Sequence, residues 1–60
     1  NKIYIYDVSN HTIPIKEDDS VRDCTRKGNI GRDLVRSRLK SGQPYINKFI
    51  FSYSSNGISS

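Results

Sequence analysis

The stretch from Gly31 to Gly42, GRDLVRSRLKSG, determines which fold this chain can adopt. At about 100° per residue, Leu34, Val35 and Leu39 share one sector of a helix, and the last two form the i, i+4 pair of a core-facing stripe. Gly42 is suited to the left-handed position just beyond a helix end, and a proline follows soon after it. The pattern predicts one short amphipathic helix over about residues 31–41.

The opposite sector of that helix is basic. Arg32, Arg36 and Lys40 fall within about 80° of one another, with Asp33 and Ser37 beside them. A face with three cations favours an anionic partner, so we predict the recognition helix of a DNA-binding helix-turn-helix. Arg32 and Arg36 would contact base edges in the major groove, supported by Asp33 and Ser37. If this helix is considered alone, the alternative to DNA binding is that its basic face is only solvated by water.

A shorter helix is predicted just before this one, from Val21 to Lys27. Ser20, followed three residues later by Asp23, is a variant of the capping box. The acidic run at residues 17–19 suits the positive end of a helix, where we expect it to lie. Cys24 falls on the inner side of this helix and is predicted to be buried.

The two helices are joined by residues that suit a tight turn. Gly28 and Asn29 can both adopt left-handed backbone angles. The apolar side chain of Ile30 is expected to pack between the two helices. Helix, glycine-containing turn and helix at this spacing are typical of the helix-turn-helix. Four cations are predicted to contact DNA phosphates: Arg22, Arg26, Lys27 and Lys40.

Three segments outside the helices have strand character. Residues 2–8 alternate, with Ile3 and Ile5 on one face and two tyrosines on the other. The segment 13–15 could pair back as a short edge strand, since its proline lacks an N–H. Residues 45–53 again alternate, with Phe49, Phe51 and Tyr53 on one face and Ile50 on the other.

These elements predict an α+β fold, a small β-(β)-α-α-β domain with a helix-turn-helix packed on a short antiparallel sheet. The domain would span residues 1–53. Residues 54–60 are rich in serine, asparagine and glycine, and we expect a flexible tail there.

Charge and composition narrow the class of protein. The formal net charge is +4 and the pI is about 9.5, which points to nucleic acid first and an anionic membrane surface second. The segment from Ser20 to Lys40 contains seven cationic and two anionic side chains, so positive charge is concentrated in the predicted helices.

One cysteine without a partner suits a reducing compartment, and no apolar run is long enough to span a membrane. We expect an intracellular protein with no membrane association.

Catalytic and metal-binding patterns are weak. His11 is the only histidine, so Asn10-His11 lacks the further histidines of a His-Asn-His nuclease site. Tyr4 and Tyr6 resemble the tyrosines of another nuclease family, but the second tyrosine-containing element of that family's motif is not present in this sequence. Three adjacent carboxylates at residues 17–19 cannot all face one ion, and Cys24 has no evident base. We therefore predict no enzymatic activity, no metal and no cofactor.

The chain resembles the nuclease-associated modular domains, or intron-encoded nuclease repeats, of phage and intron homing endonucleases, in their helix-turn-helix form. The resemblance spans about residues 2–53. The residues that carry it are Ile3–Asp7, Ser20, Cys24, Gly28–Ile30, Val35, Leu39–Gly42 and Phe49–Phe51.

That resemblance implies sequence-directed binding of double-stranded DNA, with the second helix in the major groove, in service of a nuclease domain of a longer parent chain. It also implies the cytoplasm of a bacterium or of a phage-infected host cell. Gly31 stands where such modules usually have a serine or threonine cap, and the first helix is more basic than usual.

Two alternatives come from other functional classes. The first is a small phage protein-interaction domain that binds an acidic host protein through its basic face. The second is RNA binding, in which exposed Tyr4, Tyr6 and phenylalanine rings on one sheet face would stack on bases.

Overall fold

A computed structural model describes residues 1–58 of the chain. Two helices pack on a three-stranded antiparallel sheet of order β2-β1-β3. The elements are β1 (Ile3–Asp7), β2 (Lys16–Asp18), α1 (Val21–Gly28), α2 (Arg32–Ser41) and β3 (Phe49–Ser52). The predicted α+β class and the β-(β)-α-α-β order are confirmed.

The core lies between the sheet and the helices. Ile5 of β1 is opposite Phe51 of β3, and both join Ile3, Cys24 and Val35 in one buried cluster. The predicted alternation is confirmed: Ile3, Ile5 and Phe51 lie on the face toward the helices, and Ile50 lies on the opposite face beside Tyr6. Val35 and Cys24 are almost inaccessible to solvent, which confirms the inner faces predicted for both helices.

The second strand does not lie where the sequence pattern placed it. It was expected at Ile13–Ile15, but those two isoleucines are exposed and β2 is the charged segment that follows. Pro14 has no N–H to donate, and pairing begins only where the Ile15 N–H donates to the Ile5 carbonyl at 2.8 Å. The register then sets Asp18 opposite Ile3.

The acidic run before α1 is also placed differently from the expectation. Asp18 does not sit at the positive end of the helix, because the register of β2 turns its side chain inward. Its Oδ1 atom lies 3.8 Å from Lys27 Nζ, near the opposite end of α1. Glu17 points outward and pairs with Lys2 at 3.9 Å.

Both helices begin and end as their terminal residues indicate. The Ser20 hydroxyl accepts the Asp23 N–H at 3.2 Å, which confirms Ser20 as the cap. The Asp23 carboxylate accepts from Arg26 Nη2 instead, so the second bond of a capping box is not formed within residues 1–58. In the turn only Asn29 is left-handed, at φ 53°; Gly28 is the last helical residue. A Cβ on Gly28 would lie 3.0 Å from the Ile30 side chain, so the glycine lets Ile30 pack close. Gly42 ends α2 at φ 76°, as predicted.

The third strand is shorter than expected because a tight turn occupies its predicted first half. Ile46 and Asn47 both have positive φ, 49° and 56°, the pair of angles found in type I′ hairpin turns. The Lys48 N–H donates to the Tyr45 carbonyl at 3.1 Å and closes this turn. Strand pairing with β1 then starts at Phe49.

The second face of the sheet is covered by the residues after β3. Tyr6 is completely buried; its hydroxyl donates to the Ser54 carbonyl at 2.5 Å and accepts the Gly57 N–H at 3.0 Å. The Ile58 N–H donates to the His11 carbonyl at 2.9 Å. Residues 54–58 of the predicted flexible tail thus contact the domain, whereas 59–60 lie outside the described residues. The domain boundary and the flexibility stay predictions.

Candidate nucleic-acid interface

Helix α2 presents its predicted polar face to solvent. Val35 is fully buried and Leu39 packs on the core, and these contacts determine the rotation of the helix about its axis. The side chains proposed to contact bases are all exposed: Arg32, Asp33, Arg36 and Ser37. Lys40 is exposed one turn beyond Arg36. The structure therefore brings these five residues together on one solvent-facing surface of α2.

The cations of α1 are also exposed, but two of them have partners within the chain. Arg26 Nη2 donates to the Asp23 carboxylate at 3.2 Å, and Lys27 lies at ion-pair distance from Asp18. The Arg26–Asp23 pair is largely exposed and contributes only about 0.2–1 kcal/mol, so Arg26 can be redirected at small cost. Lys27 is held more firmly, because moving it away would leave the buried Asp18 carboxylate without its cation. Within residues 1–58, Arg22 makes no ion pair.

The three cations of α2's exposed face are likewise unpaired within residues 1–58: Arg32, Arg36 and Lys40. Arg38 differs, because it is half-buried and its Nε atom, shielded from solvent, has no hydrogen-bond partner in that range. Its stem packs against the domain, in line with its position near the apolar sector of the helix. The basic surface of α2 therefore consists of three exposed cations and excludes Arg38.

The N-terminus of α2 carries no side-chain cap. Gly31 is the N-cap residue and makes no side-chain hydrogen bond, so the first N–H groups of the helix lack an acceptor from such a cap. Uncapped N–H groups at the positive end of a helix can bind a phosphate. Asp33 lies in the first turn of α2, and its negative charge opposes the binding of an anion at this end.

The RNA alternative required exposed rings on one sheet face, and the structure does not provide them. Tyr6 is buried and Tyr4 is half-buried. Phe51 lies on the opposite face, inside the core. Residues 54–57 lie over Tyr6, on the surface on which bases would have stacked.

Residues that were considered for chemistry are dispersed. His11 Nε2 lies 3.0 Å from the Val8 carbonyl oxygen in an exposed turn. Burial raises the pKa of the Cys24 thiol to about 11, and the Asp18 carboxylate adds to this effect. Within residues 1–58, no group of three or more histidine, cysteine or acidic side chains is placed to hold a metal ion.

Sequence reasoning missed Asp18, which is 2% exposed and whose carboxylate helps to raise the pKa of the Cys24 thiol. Its position in a run of acidic residues indicated a solvated segment, and no local signal distinguished it from its neighbours. The Arg26–Asp23 pair, by contrast, follows from i, i+3 spacing on a helix.

Neither helix in the described part of the chain is long and apolar enough to cross a membrane. No protein-family model matches the chain, and searches of curated proteins and of solved structures likewise find no match.

Proposed function

We propose that this chain is a DNA-binding module that places α2 in the major groove of double-stranded DNA. The observation that supports this most is the surface formed by Arg32, Arg36 and Lys40. These cations are exposed, have no ion-pair partner within residues 1–58, and are carried by a helix whose other face is held in the core by Val35. A rigid helix with a basic outer face suits groove recognition.

In this proposal the residues have two kinds of role. Arg32 and Arg36 contact base edges, with Asp33 and Ser37 in support. Phosphate contacts come from Arg22, Arg26, Lys27 and Lys40. Arg22 and Lys40 should contribute more than the other two, because Arg26 and Lys27 must first leave their partners on the protein.

The biological setting is part of the same proposal. The resemblance to nuclease-associated modules suggests that the domain directs an attached or associated nuclease to its site. The module would then act in the cytoplasm of a bacterium or of a phage-infected cell, and it would itself carry no catalytic residues.

Titration with duplex DNA at two salt concentrations tests the proposal. A selected site should bind Arg36→Ala about 1–3 kcal/mol more weakly than the parent, with relaxed preference at one base pair. Lys40→Ala should weaken all duplexes alike and lower the salt slope by about one phosphate contact. Duplex DNA should also raise the melting temperature of the parent.

Lys2→Ala is the matched control, because it removes one positive charge beside Glu17 on β2, the sheet edge farthest from β3 and α2. It should bind DNA nearly as the parent does. If the Arg32→Ala and Arg36→Ala variants fold and bind every duplex as well as the parent, the recognition-helix assignment is wrong. Binding of an acidic protein but of no duplex at low salt would favour the protein-interaction alternative.

A further inference from the structure

An open cavity of about 280 Å³ lies between the start of β2, the end of α1 and the turn before β3. Core side chains such as Ile5 and Phe51 form its floor, and two exposed isoleucines, Ile15 and Ile46, stand at its mouth. We call the cavity and its mouth the apolar groove. Within residues 1–58, none of the residues that line it belongs to α2, so the groove is separate from the proposed DNA-binding surface.

The apolar surface of the groove continues beyond the cavity. Ile15 is 55% exposed and Ile46 is 64% exposed, although both line the groove. Exposed apolar side chains gathered at one place on a small domain are typical of protein-interaction sites. A polypeptide segment can fill the cavity and cover its mouth at the same time. The groove therefore suits a protein partner.

The conformation of Ile46 gives a second reason to expect a partner. Its φ is 49°, and a β-branched residue rarely adopts such an angle. Asparagine or glycine would suit the turn better, as Asn47 does at φ 56°. Because the Ile46 side chain is mostly in water, packing within the chain does little to offset the strain. Strain of this kind is concentrated at binding sites, and here it presents an apolar side chain at the mouth of the groove.

The accessible charge at the groove is positive. Lys16 lines the groove and is exposed. Lys48 is also exposed, and its Nζ atom lies 5.5 Å from the ring centroid of Phe49, another lining residue. Neither lysine has an ion-pair partner within residues 1–58. Asp18 lines the groove as well, but both of its carboxylate oxygens are shielded from solvent. A partner at the mouth would thus meet ammonium groups.

Asp7 is the acidic side chain that the charge of Lys48 reaches. Hydrogen bonds from Ser9 lower the pKa of Asp7, and Lys48 adds a smaller effect. The Asp7 carboxylate accepts the Ser9 N–H and hydroxyl at 2.9 and 2.7 Å. It forms no ion pair with Lys48 in the described part of the chain, so the Lys48 ammonium group remains open to a partner.

We propose that the apolar groove docks an acidic segment of a partner protein. One large apolar side chain of that segment, of the phenylalanine or leucine type, enters the cavity, and its carboxylates lie beside Lys16 and Lys48. The buried apolar side chain supplies most of the affinity, and the opposite charges select and orient the segment. A second copy of the chain suits the groove less well, because it carries a net charge of +4 and would bring like charges together.

Three fluorescein-labelled peptides test the proposal at about 0.15 M salt, where charges more than a Debye length apart are screened. They are the acidic peptide SEDEFLDES, its alanine counterpart SEDEAADES and its lysine counterpart SKKKFLKKS. The acidic peptide should bind at least about tenfold more tightly than the alanine counterpart, as expected when large apolar side chains are buried. The lysine counterpart should not bind. Amide chemical shifts of residues 15–18, 28–30 and 45–49 should change on binding. Equal affinities, or shift changes confined to α2, would overturn the proposal.

Ile46→Asn tests the mouth of the groove. The substitution relieves the turn, so the variant should be at least as stable as the parent, and it should bind the acidic peptide about fivefold more weakly. Ile13→Asn is the matched control, because Ile13 is 68% exposed and does not line the groove; its affinity should equal that of the parent. Equal loss in both variants would refute the location. A dimer of the parent in sedimentation experiments that is lost in Ile46→Asn would replace the proposal with self-association.

Charge reversal tests the two lysines. A variant with Lys16→Glu and Lys48→Glu should lose the acidic peptide and gain the lysine counterpart. The control reverses two charges on α2, Arg36→Glu and Lys40→Glu, and should keep the preference of the parent. If instead the control loses the acidic peptide and the groove variant keeps it, the peptide binds the basic face of α2 and the proposal is wrong.

Discussion

Tyr6→Phe tests whether the residues after β3 are part of the folded domain. The substitution keeps the buried ring but removes the hydroxyl that donates to Ser54 and accepts from Gly57. Each such hydrogen bond contributes about 0.5–1.5 kcal/mol net, so the variant should lose about 1–3 kcal/mol. For a domain of this size, 1 kcal/mol corresponds to about 4–8 °C in melting temperature.

Urea unfolding followed by circular dichroism measures the loss, and amide hydrogen exchange locates it. The Gly57 N–H should exchange faster in Tyr6→Phe, because its acceptor is gone. Tyr4→Phe is the matched control: Tyr4 is the next residue on the same face of β1, and its hydroxyl makes no hydrogen bond within residues 1–58. If Tyr6→Phe unfolds at the same urea concentration as Tyr4→Phe, with unchanged exchange at Gly57, the docking of residues 54–58 is refuted.

Gly42→Ala should lower the free energy of unfolding by about 1–2 kcal/mol, because an L-residue is strained in the left-handed region that Gly42 occupies at φ 76°. Gly31→Ser, at an extended and open N-cap position, should cost nothing or stabilise by a few tenths, and thermal melts of both variants compare them. Cys24 should react slowly with a thiol reagent in the native protein and quickly after denaturation; rapid native labelling would show that α1 is misplaced. Because the folded thiol pKa of about 11 is above its ordinary value of 9.0, stability should fall as pH rises between these values, and Cys24→Ser should lack that component of the alkaline loss.

The sequence alone determined the features that depend on local periodicity and terminal residues. Helix α2, its rotation and its end at Gly42 follow from the spacing of Val35 and Leu39 and from the glycine itself. The same is true of the Ser20 cap and of the inner position of Cys24. The exposed face of the candidate interface was predictable for this reason, since a helix that buries one sector must expose the other.

Tertiary structure alone decided that Asp18 and Tyr6 become buried and that Ile46 is left-handed. Asp18 is buried because the register of β2 against β1 turns it inward, and that register depends on where pairing begins after Pro14. Tyr6 is buried because residues distant in sequence fold over the second sheet face. Ile46 adopts a left-handed conformation because the turn between Tyr45 and Phe49 must reverse the chain within a few residues. Each outcome depends on contacts between distant segments or on strand register, and the residue types at these positions do not encode them locally.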